Sequence, residues 1–172
     1  MKLLKTCLIL LLASATLLTA CTKDELSGES TTTVTQEGGE ENSAPADDRS
    51  LEEIYNEILD GVTAEMPGLV QQKVPNNRFE YYFGIKKPSS AKESLVAEPA
   101  IGSIPFAITL LRVDSSADAS ALAAEIKEKV DPRRWVCVTA SYVETAVKGD
   151  VILLVLDGDD ARGAQIVNAF QK

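Results

Sequence analysis

The chain has 172 residues, of which 45% are apolar, and its formal net charge at pH 7 is −9. This length suits one domain of ordinary size with tails, and the apolar fraction allows part of the chain to bury a core. The sequence contains no histidine, which excludes Ser-His-Asp and Cys-His mechanisms and any metal site that needs imidazole.

Residues 1–20 have the organisation of a signal peptide. Two lysines precede an apolar stretch of 12 residues, 7–18. A bilayer core of about 30 Å takes about 20 helical residues to cross, so this stretch suits a signal peptide better than a membrane span. The four residues that end at Cys21 read Leu-Thr-Ala-Cys and resemble the lipobox of bacterial lipoproteins. The resemblance implies diacylglycerol on the sulfur of Cys21 and cleavage just before it; an ordinary secretory signal with a chance cysteine is the alternative.

Residues 21–48 are predicted to form a disordered acidic tether rich in serine and threonine. Positions 22–48 carry eight acidic side chains and one lysine, and their large apolar residues are only Leu26 and Val34. Such a segment cannot bury enough surface to offset the entropy of ordering it. We therefore expect a protein anchored by lipid on Cys21 to the extracytoplasmic face of the cell membrane, with a spacer of roughly 30 Å below its domain. A cation-binding tail is the alternative function for this segment.

Residues 49–172 are predicted to form a single domain that is mildly acidic, with 18 acidic and 14 basic side chains. Ser50 and Glu53 have the spacing of a capping box, and apolar residues at helical spacing follow as far as Val62. Residues 69–95 give no consistent pattern.

The remainder of the domain alternates strands and helices. We predict strands at 94–102, 106–113, 142–147 and 151–156, a helix at 119–130 capped by Ser116, and a last helix capped by Asp159 or Asp160. The strand at 151–156 is apolar throughout and should be central. The order is helix, strand pair, helix, strand pair, helix, which predicts an α+β domain: a two-layer fold in which helices pack on one face of an antiparallel sheet.

Four segments of the domain are familiar as a set: Leu51–Tyr55, Asp131–Trp135, Lys148–Leu153 and Ala169–Phe170. Together they resemble a family of lipoproteins from Gram-positive bacteria whose domain has no known function. The resemblance extends over residues 50–172. It implies a cell-surface domain and assigns no activity, catalytic residue or cofactor.

Arg133, Arg134 and Trp135 are the most distinctive candidates for an interaction site. Two guanidinium groups beside an indole can hold an anionic or planar ligand by bidentate hydrogen bonds and stacking. The structural alternative is that Pro132 ends a helix, the arginines lie near its negative end and the indole packs on the core.

Three weaker candidates each have a structural explanation. Cys137 could be a reactive thiol or a buried residue of a β-like run. Asp157, Asp159 and Asp160 could bind calcium or cap a helix. The aromatic residues of segment 79–83 could form an exposed surface that binds sugar or peptide, or they could be part of the core or of a strand. No residue of the sequence is marked as catalytic, cofactor-binding or metal-ligating.

These observations favour a non-catalytic module that binds a protein, a peptide or a wall component of the cell envelope. A small cell-wall enzyme or accessory factor that uses carboxylates is the first alternative, and a ligand-binding sensor domain is the second. Nucleic acid is not an expected partner, because no basic face stands out. An exposed apolar patch would favour the binding module, two facing acids with shifted pKa values would favour the enzyme, and an enclosed pocket would favour the sensor.

Overall fold

The computed structural model describes residues 47–172, so the predicted signal peptide, Cys21 and the tether up to residue 46 lie outside the described residues. The described part contains four helices and five strands in this order: α1 Leu51–Asp60, β1 Leu69–Lys73, α2 Phe79–Phe83, β2 Ala91–Pro99, β3 Phe106–Val113, α3 Ala119–Lys129, β4 Tyr142–Lys148, β5 Val151–Asp157 and α4 Asp160–Gln171.

The five strands form one antiparallel sheet in the order β1-β2-β3-β5-β4. The predicted α+β class is therefore confirmed. The strands β4 and β5 form a hairpin across Gly149, whose φ of 61° is a left-handed conformation that glycine adopts without steric cost. The predicted central position of β5 is also correct, because it lies between β3 and β4.

The helices cover both faces of the sheet, and the prediction that they pack on one face is wrong. The core consists of two clusters: α1 and α4 contribute to the first, and α2 and α3 contribute to the second. Every residue of β5 is buried. Because successive side chains of a strand point to opposite faces, a strand that is apolar throughout needs cover on both sides. Alternate residues of β5 accordingly divide between the clusters: Val151, Leu153 and Val155 in the first, and Ile152, Leu154 and Leu156 in the second.

The helix starts follow from local capping chemistry. The side chains and backbone groups of Ser50 and Glu53 form both hydrogen bonds of the predicted capping box at the start of α1. Asp159 caps α4, as one of the two predicted alternatives. The cap of α3 is Asp118 rather than Ser116, since its carboxylate accepts from the N–H of Ala121 at 2.9 Å.

Arg112 on β3 fixes the start of the described chain to the sheet. Its side chain is only 14% exposed, and the guanidinium pairs with Asp150 at 3.5 Å and donates to the carbonyl oxygens of Asp47 and Arg49. The carboxylate of Asp47 accepts from Arg49 Nε at 2.9 Å, and this bond to Arg49 lowers the pKa of Asp47 to about 2. Asp47, which lies two residues before the predicted boundary, therefore contacts the sheet through Arg112 and Asp150.

Candidate binding surface

Arg134 is a buried cation enclosed by aromatic side chains. It follows α3 in the loop that leads to β4, and its side chain is only 2% exposed. Its Nη1 donates to the backbone oxygen of Tyr82 at 3.2 Å. Its guanidinium carbon lies 4.7 Å from the ring centroid of Trp135, 5.2 Å from that of Tyr82 and 5.4 Å from that of Tyr81. The guanidinium thereby joins the loop to α2.

A carboxylate on β2 completes this cluster. The hydroxyl of Tyr82 donates to Glu98 Oε1 at 2.7 Å, and the other carboxylate oxygen lies 4.0 Å from Arg134 Nη2. Burial together with this hydrogen bond raises the pKa of Tyr82 to about 12, so the phenol stays protonated and can donate. The three side chains come from α2, β2 and the 130–141 loop, and they hold these segments together.

Two nitrogens of Arg134 are buried without a hydrogen-bond partner among the described residues, namely Nε and Nη2. Burial lowers the pKa of the Arg134 guanidinium, and an unmet buried donor costs about 1–3 kcal/mol. The negative faces of the surrounding rings and the charge of Glu98 offset part of this cost. With its polar edge covered, Arg134 positions the loop instead of meeting a partner directly.

The three residues predicted as an interaction site therefore differ in their exposure to solvent. Arg133 lies at the surface with 77% of its side chain exposed, and its Nε lies 3.3 Å from the Asp131 carboxylate. Trp135 is half-buried and packs against the second core cluster. Arg134 is interior. The three are neighbours in the fold, but Arg133 and the exposed part of Trp135 are the portions that a partner can reach.

Four large apolar side chains are exposed in the described part of the chain, and they define the apolar corner: Val70, Tyr81, Ile101 and Val136, exposed by 52%, 40%, 66% and 73%. They lie around one end of the β1–β2 pair. Val70 is the partner of Glu98 in the register of these strands. The N–H of Val136 donates to the carbonyl oxygen of Gly102, the residue after Ile101, at 3.3 Å. The hydroxyl of Tyr81 donates to the carbonyl oxygen of Arg134 at 3.4 Å.

The aromatic segment 79–83 contributes to both the core and the corner. It forms the short helix α2, in which Phe79, Tyr82 and Phe83 are almost fully buried and Tyr81 is exposed. The core interpretation is thus correct for Phe79, Tyr82 and Phe83, whereas the interpretation as a binding surface stays a prediction that concerns Tyr81. Arg78, which precedes the helix, places its guanidinium carbon 4.5 Å from the Tyr81 ring centroid.

Cys137 is exposed, and the interpretation of it as a buried strand residue is wrong. Its φ is 63°, a left-handed conformation that strands do not adopt. The neighbouring N–H of Val136 bonds to the Gly102 carbonyl and not to a strand, so the flanking valines belong to a loop. Of the two, Val136 is exposed and belongs to the apolar corner.

The aspartates at the end of β5 and just after it have structural partners, which supports the capping interpretation over a calcium site. Asp157 is fully buried and binds the guanidinium of Arg162 through both oxygens, at 2.6 and 2.8 Å. Asp159 accepts from two N–H groups of α4, and Asp160 accepts from the hydroxyl of Ser141 at 2.7 Å. Residues 47–172 contain no group of three or more side chains placed to hold a metal ion.

A surface cleft of about 440 Å³ at the start of α3 is lined by three aspartates. Asp114 pairs with Lys92 at 3.5 Å, Asp118 caps α3 and Asp150 pairs with Arg112. A carboxyl group that donates a proton in catalysis needs a raised pKa. Of the carboxyl groups in the described residues, those with a shifted pKa, such as Asp47 and Asp131, are shifted downward by hydrogen bonds.

Comparison with known proteins adds no relative: no protein-family model, no curated protein and no solved structure matches the chain. The resemblance of residues 50–172 to lipoprotein domains stays a prediction from the sequence. Within residues 47–172, no helix has the length and apolar character needed to cross a membrane.

Proposed function

We propose that the chain is a lipid-anchored extracytoplasmic lipoprotein whose domain is a binding module for a protein or peptide of the cell envelope. The anchor is Cys21, and the apolar corner is the docking surface. The single observation that carries the binding proposal is that all four exposed large apolar side chains of the described residues surround one end of the β1–β2 pair.

The corner has the composition of an interface centre. Aromatic and arginine side chains are enriched where proteins bind one another, and Tyr81, Trp135 and Arg133 lie here beside exposed aliphatic residues. The buried contacts of Arg134 with Tyr82 and Trp135 keep the surface in one conformation before a partner arrives. Such preorganisation lowers the entropic cost of binding.

Affinity capture from crosslinked cells tests this proposal. The native chain is compared with a double variant in which Ile101 and Val136 are each replaced by serine. Both side chains are exposed, so the variant should unfold at the same urea concentration as the native chain. The matched control replaces Ala121 and Ala124, which are exposed on α3, by serine.

The expected result is one envelope protein that both the native chain and the α3 control enrich and that the corner variant loses by at least about tenfold, or about 1.4 kcal/mol. Equal enrichment by all three forms would contradict the corner as the docking surface. The alternatives to test would then be a sensor domain with an enclosed ligand pocket and an enzyme that acts on wall polymers.

A further inference from the structure

We propose that the outer edge of β1 binds an extended acidic segment of the partner protein as a sixth strand of the sheet. The inference rests on the proposed binding function and specifies its mode: backbone hydrogen bonds to β1 hold the segment while the apolar corner contacts its side chains.

The backbone geometry identifies which groups of β1 are free. The N–H of Val74 donates to the carbonyl oxygen of Ser94 on β2 at 3.2 Å. Hydrogen-bonded pairs recur at every second residue of an antiparallel ladder, so Gln72 and Val70 also direct their backbone groups toward β2. The backbone groups of Gln71 and Lys73 therefore point away from the sheet.

These outward groups have no strand beside them in the described part of the chain. The strand β1 pairs only with β2, and four of its five residues are exposed. An unpaired N–H and C=O row is a template for another strand. Strand addition to such an edge is a recurring mode of peptide recognition, in which the backbone provides affinity and side-chain contacts provide specificity.

The opposite edge of the sheet differs. Both α3 and α4 pack closely against β4, and no residue of β4 is exposed. By contrast, β1 makes its main contacts with β2 alone. Of the two edges, β1 is therefore the more exposed to an additional strand.

The charge around β1 favours an acidic segment. Residues 69–90 carry four basic side chains and one acidic side chain, whereas residues 49–172 as a whole carry an excess of acids. The bases are Lys73, Arg78, Lys86 and Lys87. Lys73 is 79% exposed and lies 3.9 Å from the Glu93 carboxylate on β2, and Arg78 is exposed beside Tyr81. Opposite charges across an interface steer association and set orientation.

The same charges disfavour a second copy of this chain as the occupant. A symmetric pairing of β1 with its own copy would bring two segments 69–90 together, each with three more bases than acids. Like charges placed opposite one another in paired strands destabilise the pairing. A strand of different sequence with carboxylates avoids this repulsion.

Hydrogen exchange at the amides of Gln71 and Lys73 tests the mode of binding. The full-length chain in mild detergent is mixed with a synthetic ten-residue peptide that alternates valine with threonine and ends in two glutamates. A second peptide has two lysines in place of the glutamates. A third has the acidic sequence with methylated backbone nitrogens, which cannot donate to β1.

A proline variant and its matched control separate the edge from the corner. Gln71→Pro removes an outward N–H, and edge strands tolerate proline where the N–H faces solvent. Gln71→Thr keeps the N–H. Urea unfolding first confirms that the free energy of unfolding of both variants is native to within about 0.5 kcal/mol.

The acidic peptide is expected to slow exchange at both amides of the native chain by about tenfold or more. The lysine peptide should act more weakly, the methylated peptide should have no effect, and Gln71→Pro should abolish the protection of the Lys73 amide that Gln71→Thr retains. Unchanged exchange with the acidic peptide, or equal protection of the Lys73 amide in Gln71→Pro and Gln71→Thr, would overturn the inference. Protection that grows with protein concentration without peptide would overturn it in favour of self-association.

Failure of the inference is distinguishable from failure of the proposed function. If Gln71→Pro captures the envelope partner normally while the Ile101 and Val136 double variant does not, the corner is the docking surface and strand addition is wrong. If neither variant changes capture, the proposed function fails as well.

Discussion

Replacement of Gly84 by alanine should strongly destabilise the domain, because this residue ends α2 and packs directly against the backbone at the end of α3. Its φ is 71°, and a Cβ atom here would lie 2.4 Å from the backbone C and O of Lys129 and from the N of Val130. A left-handed alanine costs about 1–2 kcal/mol. The overlap is with backbone atoms, which cannot rotate away, and overpacking of this kind adds about 1–3 kcal/mol. The expected loss in the free energy of unfolding is therefore about 2–5 kcal/mol.

Urea unfolding followed by circular dichroism measures this loss. With a slope of about 2 kcal/mol per molar urea, the midpoint of Gly84→Ala should fall by roughly 1–2.5 M. Gly68→Ala is the matched control, since no atom lies within 4 Å of its added Cβ. If the two alanine variants unfold within about 0.5 kcal/mol of each other, the close contact between α2 and α3 is not a determinant of stability and the reasoning is refuted.

Three further predictions concern the charged and polar contacts of the domain. Asp157→Asn should lower the free energy of unfolding by about 3 kcal/mol, because it leaves the Arg162 guanidinium without a buried counter-charge; a loss below about 0.5 kcal/mol would contradict this. Native Asp47 has a pKa of about 2 against 3.8 when free, so it stabilises the fold above about pH 4 by up to about 2 kcal/mol and loses this effect as the pH falls toward 2. The difference in urea midpoint between the native chain and Asp47→Asn should shrink across that interval, and a constant difference would be inconsistent with the Arg49 contact. Tyr82 should ionise near pH 12, and Tyr82→Phe should remove this transition from the tyrosinate absorbance; an unchanged titration would argue against its burial.

The elements that the sequence predicted well are those with local signals. Strand β3 has the predicted bounds Phe106–Val113, because most of its residues are apolar and either β-branched or large. The capping box of Ser50 and Glu53 depends on side chains three residues apart, and pattern alone identifies it. Such features need no knowledge of the rest of the chain.

Segment 69–95, which has no consistent local pattern, contains the elements that the sequence does not predict. Strand β1 is short and largely polar, and it exists because it pairs with β2. Helix α2 has five residues, fewer than an isolated helix needs to be stable, and it is held by the burial of Phe79 and Phe83. Both elements depend on tertiary contacts that periodicity does not reveal.

The candidate site was visible in the sequence only in part. Arg133, Arg134 and Trp135 stood out by composition, but no local pattern indicated that the middle residue is interior. Its partners Tyr82 and Glu98 come from distant positions in the chain, so the buried cluster emerges only from the fold. Exposure of Ile101 and Val136 was equally hidden, because isolated apolar residues in loops carry no periodic signal. The uniformly apolar β5 did carry the information that both faces of the sheet are covered.

Site-specific photocrosslinking in living cells tests most directly whether the apolar corner is the docking surface. A photoreactive phenylalanine analogue replaces Val136, and in a matched strain it replaces Asn168, which is exposed on α4 and belongs to the opposite face of the sheet. The account predicts a discrete crosslinked envelope protein from position 136 and none from position 168, with the product lost when Ile101 is also replaced by serine. The same crosslinks from both positions, or none from position 136, would contradict it.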